Sequence, residues 1–434
     1  MKKHEFTKRR KQLMRMIGAD GVAILPSAPV RKRSRDIEYR FRQDSDFYYL
    51  TGFTEPAAVA VLAPGRDNGE YIIFCRERDQ LGERWDGARA GTEGAVADYE
   101  AADAFPIDDI DEILPGIMES RNCVYYTMGV YADFDSRVTD WVNSLRKRGA
   151  SGVHTPHEFV ALDHLLHDMR LYKSRAEVSA MRRAAKIASA AHLKAIKKAR
   201  PGLYEFELEA EIIHEFRRHD AIHSYSPIVG SGANSCVLHY VENNCVLDDG
   251  DLVLIDAGCE ADYYASDITR TFPVSGAFTS EQRAVYEIVL EAQLAAIDKV
   301  RVGNHWNDPH DAAVQVITRG LKKLGLLSGT PQKLIRDEAY REYFMHRTGH
   351  WLGIDVHDVG DYKVGEEWRL LEPGMVMTVE PGIYLPASRK VPARFRNVGV
   401  RIEDDVVVSK NGPDVLSKQL AKDADAIEAL MAAR

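Results

Sequence analysis

Leu252-Val-Leu-Ile-Asp256-Ala-Gly258 is an apolar run that ends in an aspartate, and eleven positions after that aspartate comes Asp267-Ile-Thr-Arg-Thr-Phe272. The first run has the length and branched side chains of a buried strand. On a single strand, the odd spacing would send the two carboxylates to opposite faces. A hairpin with its tight turn near Ala261-Asp262 instead sets residues 256 and 267 opposite each other, with Cβ atoms about 5 Å apart, close enough to share one or two cations. One buried aspartate and one turn aspartate would fit the same letters.

Three later segments bear on that choice. His346-Arg-Thr-Gly-His350-Trp-Leu-Gly353-Ile-Asp-Val-His357 gathers three of the chain's 15 histidines, with glycines between them. Those glycines argue for a chain pressed close to a site rather than for a helix. Val376-Met-Thr-Val-Glu380-Pro-Gly382-Ile-Tyr384 ends an apolar strand on an acid that would be costly to bury alone. In Val398-Gly-Val-Arg401-Ile-Glu403-Asp404, Arg401 and Glu403 alternate with apolar residues and share one face, which also suits a surface ion pair. Taken together, Asp256, Asp267, Glu380 and Glu403 are four carboxylates beside one histidine-rich loop. Unpaired in a cleft they would repel one another by several kcal/mol at an effective dielectric of about 20. Two divalent cations would cancel that charge. A donor set rich in oxygen, with one imidazole and no thiolate, favours Mn²⁺ or a similar hard ion. Two ions sharing carboxylate bridges lie about 3.5–4 Å apart and hold a water between them.

One motif is a decoy. His214-Glu-Phe-Arg-Arg-His219 resembles a zinc-protease helix, but its histidines are five residues apart instead of four, about 140° around the helix axis. They are expected on the helix surface.

Around the acid-bearing segments the pattern is α+β. Ser174-Arg-Ala-Glu177 is a capping box that opens a long helix ending before Pro201-Gly202. A second helix carries Leu208, Ile212 and Phe216, and two more are predicted near 280–300 and 308–324. Strands are expected at 252–256, 263–272, 376–380 and 398–408. Upstream, Gly21–Leu25, Val59–Leu62 and Tyr71–Phe74 read as buried strands of a smaller mixed α/β domain. The boundary falls near residue 173, giving domains 1–173 and 174–434.

Composition narrows the function classes. The 434 residues are 45% hydrophobic and 28% charged, and 57 basic against 66 acidic side chains leave a net charge of −9. That excludes a disordered chain and a basic nucleic-acid binder. No apolar run approaches the roughly 20 residues of a membrane span. The basic start (Lys2, Lys3, Lys8–Lys11) has no hydrophobic segment behind it, so no secretory signal is expected. Arg31–Arg40 reads as a solvated basic loop. Five cysteines without a C-x-x-C pair read as reduced thiols, consistent with a cytoplasmic protein.

On these motifs the sequence resembles the aminopeptidase P and prolidase family of metallopeptidases, which has the "pita-bread" fold. The likeness extends over nearly the whole chain. Phe47-Tyr-Tyr-Leu-Thr-Gly-Phe53 resembles a signature of the family's N-terminal domain, and Ile228-Val-Gly-Ser-Gly-Ala-Asn234 with Leu238-His239-Tyr240 matches in the catalytic one. The resemblance implies two divalent metals per subunit, with Mn²⁺ the favoured ion. Asp256 would chelate one, Asp267 and Glu403 would bridge both, and His350 and Glu380 would complete the second. It implies substrate-handling and catalytic roles for His239, His346 and His357, and a place in the site for Tyr384 and Arg401. Trp85 resembles a tryptophan that bacterial relatives project into a neighbouring subunit's site, which implies a homodimer or homotetramer.

The implied reaction removes an N-terminal residue that precedes proline, using a hydroxide held between the two metals, with Glu380 or another bridging carboxylate handling the proton. The partners are then proline-containing peptides, with no nucleic acid and no membrane. Prolidase, which cleaves Xaa-Pro dipeptides, is the nearest alternative. It needs an arginine for the substrate's free carboxylate, and Arg369 is the candidate in the short 361–372 segment. A catalytically dead peptide-binding scaffold is the alternative of another class. Its mark would be missing ligands, and none is missing.

Overall fold

The computed structural model describes residues 1–433. The chain divides into two compact units, Met1–Met169 and Arg170–Arg434.

The first unit is built on a six-stranded sheet. Its spatial order is Asp103–Pro106, Tyr71–Cys75, Val59–Leu62, Gly21–Pro26, Cys123–Tyr125 and Glu158–Val160. The three central strands pair antiparallel, and the outer pairings are parallel. Val22, Ile24, Val61, Ile72 and Phe74 pack against Leu114, Val138, Trp141 and Leu145 of two helices to form its core. Fully apolar strands require cover on both faces, and the burial of every residue in Val59–Leu62 and Tyr71–Cys75 fits that need. The basic stretch is an exposed two-stranded ribbon, Lys32–Ser34 with Ile37–Glu38.

In the second unit, two long helix pairs flank antiparallel strands, and every strand pairing among its described residues is antiparallel. The helices are Arg175–Lys198 with Glu205–Arg218, and Ser280–Lys299 with Asp308–Lys323. The capping box forms as its letters require. Ser174 Oγ accepts from the Glu177 N–H at 3.3 Å, while the Glu177 carboxylate accepts from the Ser174 N–H at 2.8 Å. Thr279 and Gln282 repeat the device on the third helix. Each such cap contributes about 1 kcal/mol. Leu208, Ile212 and Phe216 are buried on one stripe, whereas His214 and His219 are not buried.

Three expected strands are interrupted, and each interruption serves the site. The stretch 263–272 splits into Tyr264–Ala265 and Thr269–Pro273. Between them the Asp267 N–H leaves the ladder and points to the Asp405 carboxylate. The stretch 398–408 breaks after Arg401 and resumes at Asp404, which turns Glu403 inward. The strand Val376–Val379 stops one residue short of Glu380.

The hairpin register differs by one turn position from the expected one. The turn is at Asp262-Tyr263, both with positive φ, so Asp256 opposes Thr269 rather than Asp267. Asp267 lies in the break two residues before Thr269, and the Tyr225 hydroxyl still reaches both it and Asp256.

Candidate metal centre

Strand ends deliver the acids to one place. Asp256 closes Leu252–Asp256, Asp267 sits in the break beside it, and Glu380 and Glu403 follow the ends of two strands in the other half of the unit. The histidine loop is held against them by close backbone approach. At Gly349 an added Cβ would strike the Thr378 carbonyl oxygen, and at Gly353 it would strike the Asp358 carboxylate. Only glycine fits there. The loop is also tied by the Thr378 N–H to the His350 carbonyl at 3.0 Å and by the Glu380 N–H to the Thr348 carbonyl at 2.9 Å.

Asp256, Asp267, Glu380, Glu403, His239, His346, His350, His357 and Arg401 all line one cavity of about 680 Å³. Asp267, His350 and Glu403 offer ligand atoms that all lie within 4.8 Å of one another. His350 Nε2 stands 3.4 Å from Asp267 Oδ2 and 3.6 Å from Glu380 Oε1. Its Nδ1 lies 2.9 Å from the Trp351 carbonyl, which fixes the tautomer that leaves Nε2 for the acids or for a metal. Arg401 Nη2 donates to Asp256 at 2.6 Å, Nη1 to the Tyr384 hydroxyl at 3.0 Å and Nε to Thr269 at 3.2 Å. Tyr384 is completely buried, with its hydroxyl 2.9 Å from His346 Nε2, so it joins His346 to Arg401. Trp85 belongs to the first unit, in the short helix Glu83–Asp86, and is 90% exposed. Arg369, the candidate for a dipeptide carboxylate, donates instead to the Asp361 carbonyl at 2.9 Å and to the Tyr172 hydroxyl.

The electrostatics of the acids are strained. Burial lifts the Glu380 carboxyl to about 7, in spite of His350 and Arg401. Burial, followed by repulsion from Asp267 and Glu380, pushes Glu403 well above the carboxylate range. Burial also raises Asp256, against Arg401. Asp267 alone ends low, because hydrogen bonding and attraction to His350 outweigh its burial. Burial by itself would neutralise His350, but Asp267 and Glu380 hold its proton up to about 9. At separations of about 5 Å each pair of ionised acids costs about 3 kcal/mol at an effective dielectric of about 20.

The donor set fits a divalent cation on its own chemistry. Tyr225 is the clearest sign. Its hydroxyl lies 2.5 Å from Asp256 Oδ1 and also reaches Asp267, yet it has one proton to give two carboxylates. Burial and those acids raise its own pKa well above the usual phenol value. An acid set this crowded gains most from a positive ion placed among its oxygens.

Several supporting residues carry little signal in the sequence. Tyr225 comes just before the Ile228–Ser231 strand in a Ser-Tyr-Ser-Pro turn, a context that says nothing of a metal. Thr269 donates to Glu403 at 2.6 Å, and Thr378 donates to Glu380 at 3.3 Å. Both are hydroxyls inside apolar strands, which is the one hint they give. The cavity wall also holds Trp306, Tyr362, Trp368 and Arg347. Trp306 packs on Trp351 with ring centroids 4.1 Å apart and on Tyr362 at 4.6 Å, while Trp351 stacks on Tyr362 at 5.7 Å.

Comparison with known proteins agrees with this geometry. Residues 179–410 match Metallopeptidase family M24, and residues 6–125 match the aminopeptidase P N-terminal domain. The Xaa-Pro aminopeptidase of Escherichia coli is 44% identical over 99% of this chain and 98% of its own. A solved aminopeptidase PepP of Pseudomonas aeruginosa superposes with a TM-score of 0.99 at 57% identity, over 100% of this chain and 98% of that one. A zinc-substituted Escherichia coli aminopeptidase P in complex with product gives a TM-score of 0.97 at 43% identity, over 100% and 99% of the two chains. The strand ends, the histidine loop and the whole-chain similarity converge: this chain belongs to metallopeptidase family M24, with an aminopeptidase P N-terminal domain ahead of its pita-bread unit.

Proposed function

We propose that the chain is a divalent-metal-dependent aminopeptidase that cleaves the bond between an N-terminal residue and a following proline, and that its preferred ion is Mn²⁺, two per subunit. The observation that carries this reading is the meeting of Asp267, His350 and Glu403 ligand atoms within 4.8 Å, inside a cavity that three more histidines line. Asp256, Asp267, His350, Glu380 and Glu403 would hold the ions. Catalysis is assigned to residues 174–434, with 1–173 as the N-terminal domain.

When bound, such ions supply an acidified water and polarise a carbonyl. The chain's own residues do the rest. Glu380 takes a proton on its carboxylate oxygen and delivers it to the leaving proline nitrogen. His239 and His357, exposed at the cavity, donate to the oxygen of the scissile carbonyl as negative charge develops there. His346 is held by Tyr384, and Tyr384 by Arg401, so these three set the shape of the wall that the substrate meets. The scissile nitrogen of an Xaa-Pro bond carries no hydrogen. A site that asks for no N–H there accepts what ordinary peptidases reject.

Among the described residues no helix is long and apolar enough to cross a membrane. We place the enzyme in the cytoplasm as a homodimer or homotetramer, with exposed Trp85 serving a neighbouring subunit's site. The test is a panel of Ala-Pro, Ala-Pro-Ala and longer Xaa-Pro peptides, assayed after chelator stripping and reloading with Mn²⁺, Co²⁺ or Zn²⁺. Turnover of tripeptides and longer substrates is expected, highest with Mn²⁺. Cleavage of the dipeptide alone would make the enzyme a prolidase. No bound metal and no turnover would leave a peptide-binding scaffold.

A further inference from the structure

Every charged group on the cavity wall except one is committed. Asp256, Asp267, Glu380 and Glu403 surround the candidate metal position, and Arg401 is bound to Asp256. The exception is Arg347, in the histidine loop between His346 and His350. Its guanidinium donates to the Asn307 side-chain oxygen and lies over the Trp368 ring, 5.0 Å from the centroid. No carboxylate among the described residues comes within 4.0 Å of it. An amide below and an indole face alongside orient the planar fork, and Asp311 attracts it through space without forming an ion pair.

We infer that Arg347 is a specificity-determining residue that receives a carboxylate from the part of the substrate beyond the proline. This deepens the aminopeptidase reading and rests on it. A guanidinium prefers a carboxylate to a neutral carbonyl because two parallel, charge-assisted hydrogen bonds form together. The residue after proline places its α-carboxylate about 5 Å from the proline α-carbon, one 3.8 Å Cα–Cα step plus one Cα–C bond. Arg347 follows directly on His346, whose ring stands 3.8 Å from Glu380, and its own side chain lines the same cavity. Trp306, Tyr362 and Trp368 line the same wall and lower the local exposure to water. The group recognised is a carboxylate, supplied either by the C-terminus of a tripeptide or by an acidic third side chain.

The experiment uses the metal-loaded, full-length enzyme and its R347Q and R347K variants. Two substrate pairs separate the two sources: Ala-Pro-Ala against Ala-Pro-Ala-NH2 for the chain terminus, and Ala-Pro-Glu-NH2 against Ala-Pro-Gln-NH2 for the side chain. The wild type is expected to favour at least one acidic member by about ten-fold in kcat/KM, carried by KM, as befits a charge-assisted contact. In R347Q that ratio falls to about 1, and R347K keeps part of it. The preference also shrinks with added salt. Calorimetric binding of the products Pro-Ala and Pro-Ala-NH2 supplies a readout independent of turnover. If both pairs are turned over equally by the wild type and the two products bind alike, the inference is overturned. It is overturned equally if R347Q lowers acid and amide substrates to the same degree, since that marks a structural role. Failure to cleave any of the four peptides, with Pro-Ala still bound better than its amide, would instead fault the aminopeptidase reading.

Discussion

Two groups of buried acids in the second unit are treated in opposite ways. Asp404 accepts from Arg270, Gln293, Ser417 and Lys422, and Asp358 lies between Arg170 at 2.6 Å and Lys173 at 2.9 Å. In both, nearby cations overcome burial and lower the carboxyl from its ordinary value, Asp404 strongly so. A single residue away from Asp404, Glu403 is pushed up by burial and by its fellow acids, and Glu380 stands at about 7. Acids that serve the fold are neutralised by the chain. Acids that face the cavity are left with one arginine and one imidazole among four, a shortfall that a bound cation would make good.

Breaking the two groups should therefore give opposite results. The largest effect is expected from Asp267→Asn or Glu403→Gln. Each should cut Xaa-Pro hydrolysis to below about one hundredth, since even outer partners of a metal are worth 10–100-fold. Circular dichroism should show the fold intact, and the metal-stripped variants should melt no lower than the metal-stripped parent. Near-normal turnover in either variant would refute the ligand assignment. Asp404→Asn and Asp358→Asn should do the reverse. Each strands buried cations, and urea unfolding should show a loss of about 3–5 kcal/mol.

Acid sharpens the contrast. The Asp358 carboxyl is depressed in the folded state, so its contribution is complete above the unfolded value of about 3.9 and is lost as pH falls through the lower, folded one. Urea midpoints of the parent should thus drop more steeply below about pH 4 than those of Asp358→Asn; parallel curves would contradict the pairing. A milder expectation concerns the outside charge itself. Loading the stripped enzyme with Mn²⁺ at a hundred times its Kd should add about 2.7 kcal/mol of stability. The smallest effect belongs to Tyr225→Phe. The loss of one hydroxyl between Asp256 and Asp267 should weaken metal binding by about ten-fold, read by competition with a chromogenic chelator.

Much of this is legible in the sequence, because its signals are local. Ser174 and Glu177 are three residues apart, and a capping box needs nothing else. An aspartate closing Leu-Val-Leu-Ile announces a strand end wherever that strand packs. The hairpin register departs from expectation by one position because Asp262 and Tyr263 both take positive φ without a glycine to signal it. The alternation of Arg401 with Glu403 suggests an open face, yet their exposures are 4% and 2%. Alternation reports which residues share a side, and a partner more than a hundred positions away decides whether that side meets water. Thr269 and Glu403 are 134 residues apart, and no local pattern links them. The acids that line the cavity are visible from their own segments. The ring of hydroxyls and cations behind them becomes visible only once those segments meet.

The rings of Trp306, Trp351 and Tyr362 touch in a row, and two of the three form part of the cavity wall. Whatever enters that space changes the surroundings of an emitting indole coupled to two other chromophores. The protein thus carries a built-in optical gauge, and its intrinsic fluorescence should follow occupancy of the cavity in real time, with no dye or label attached.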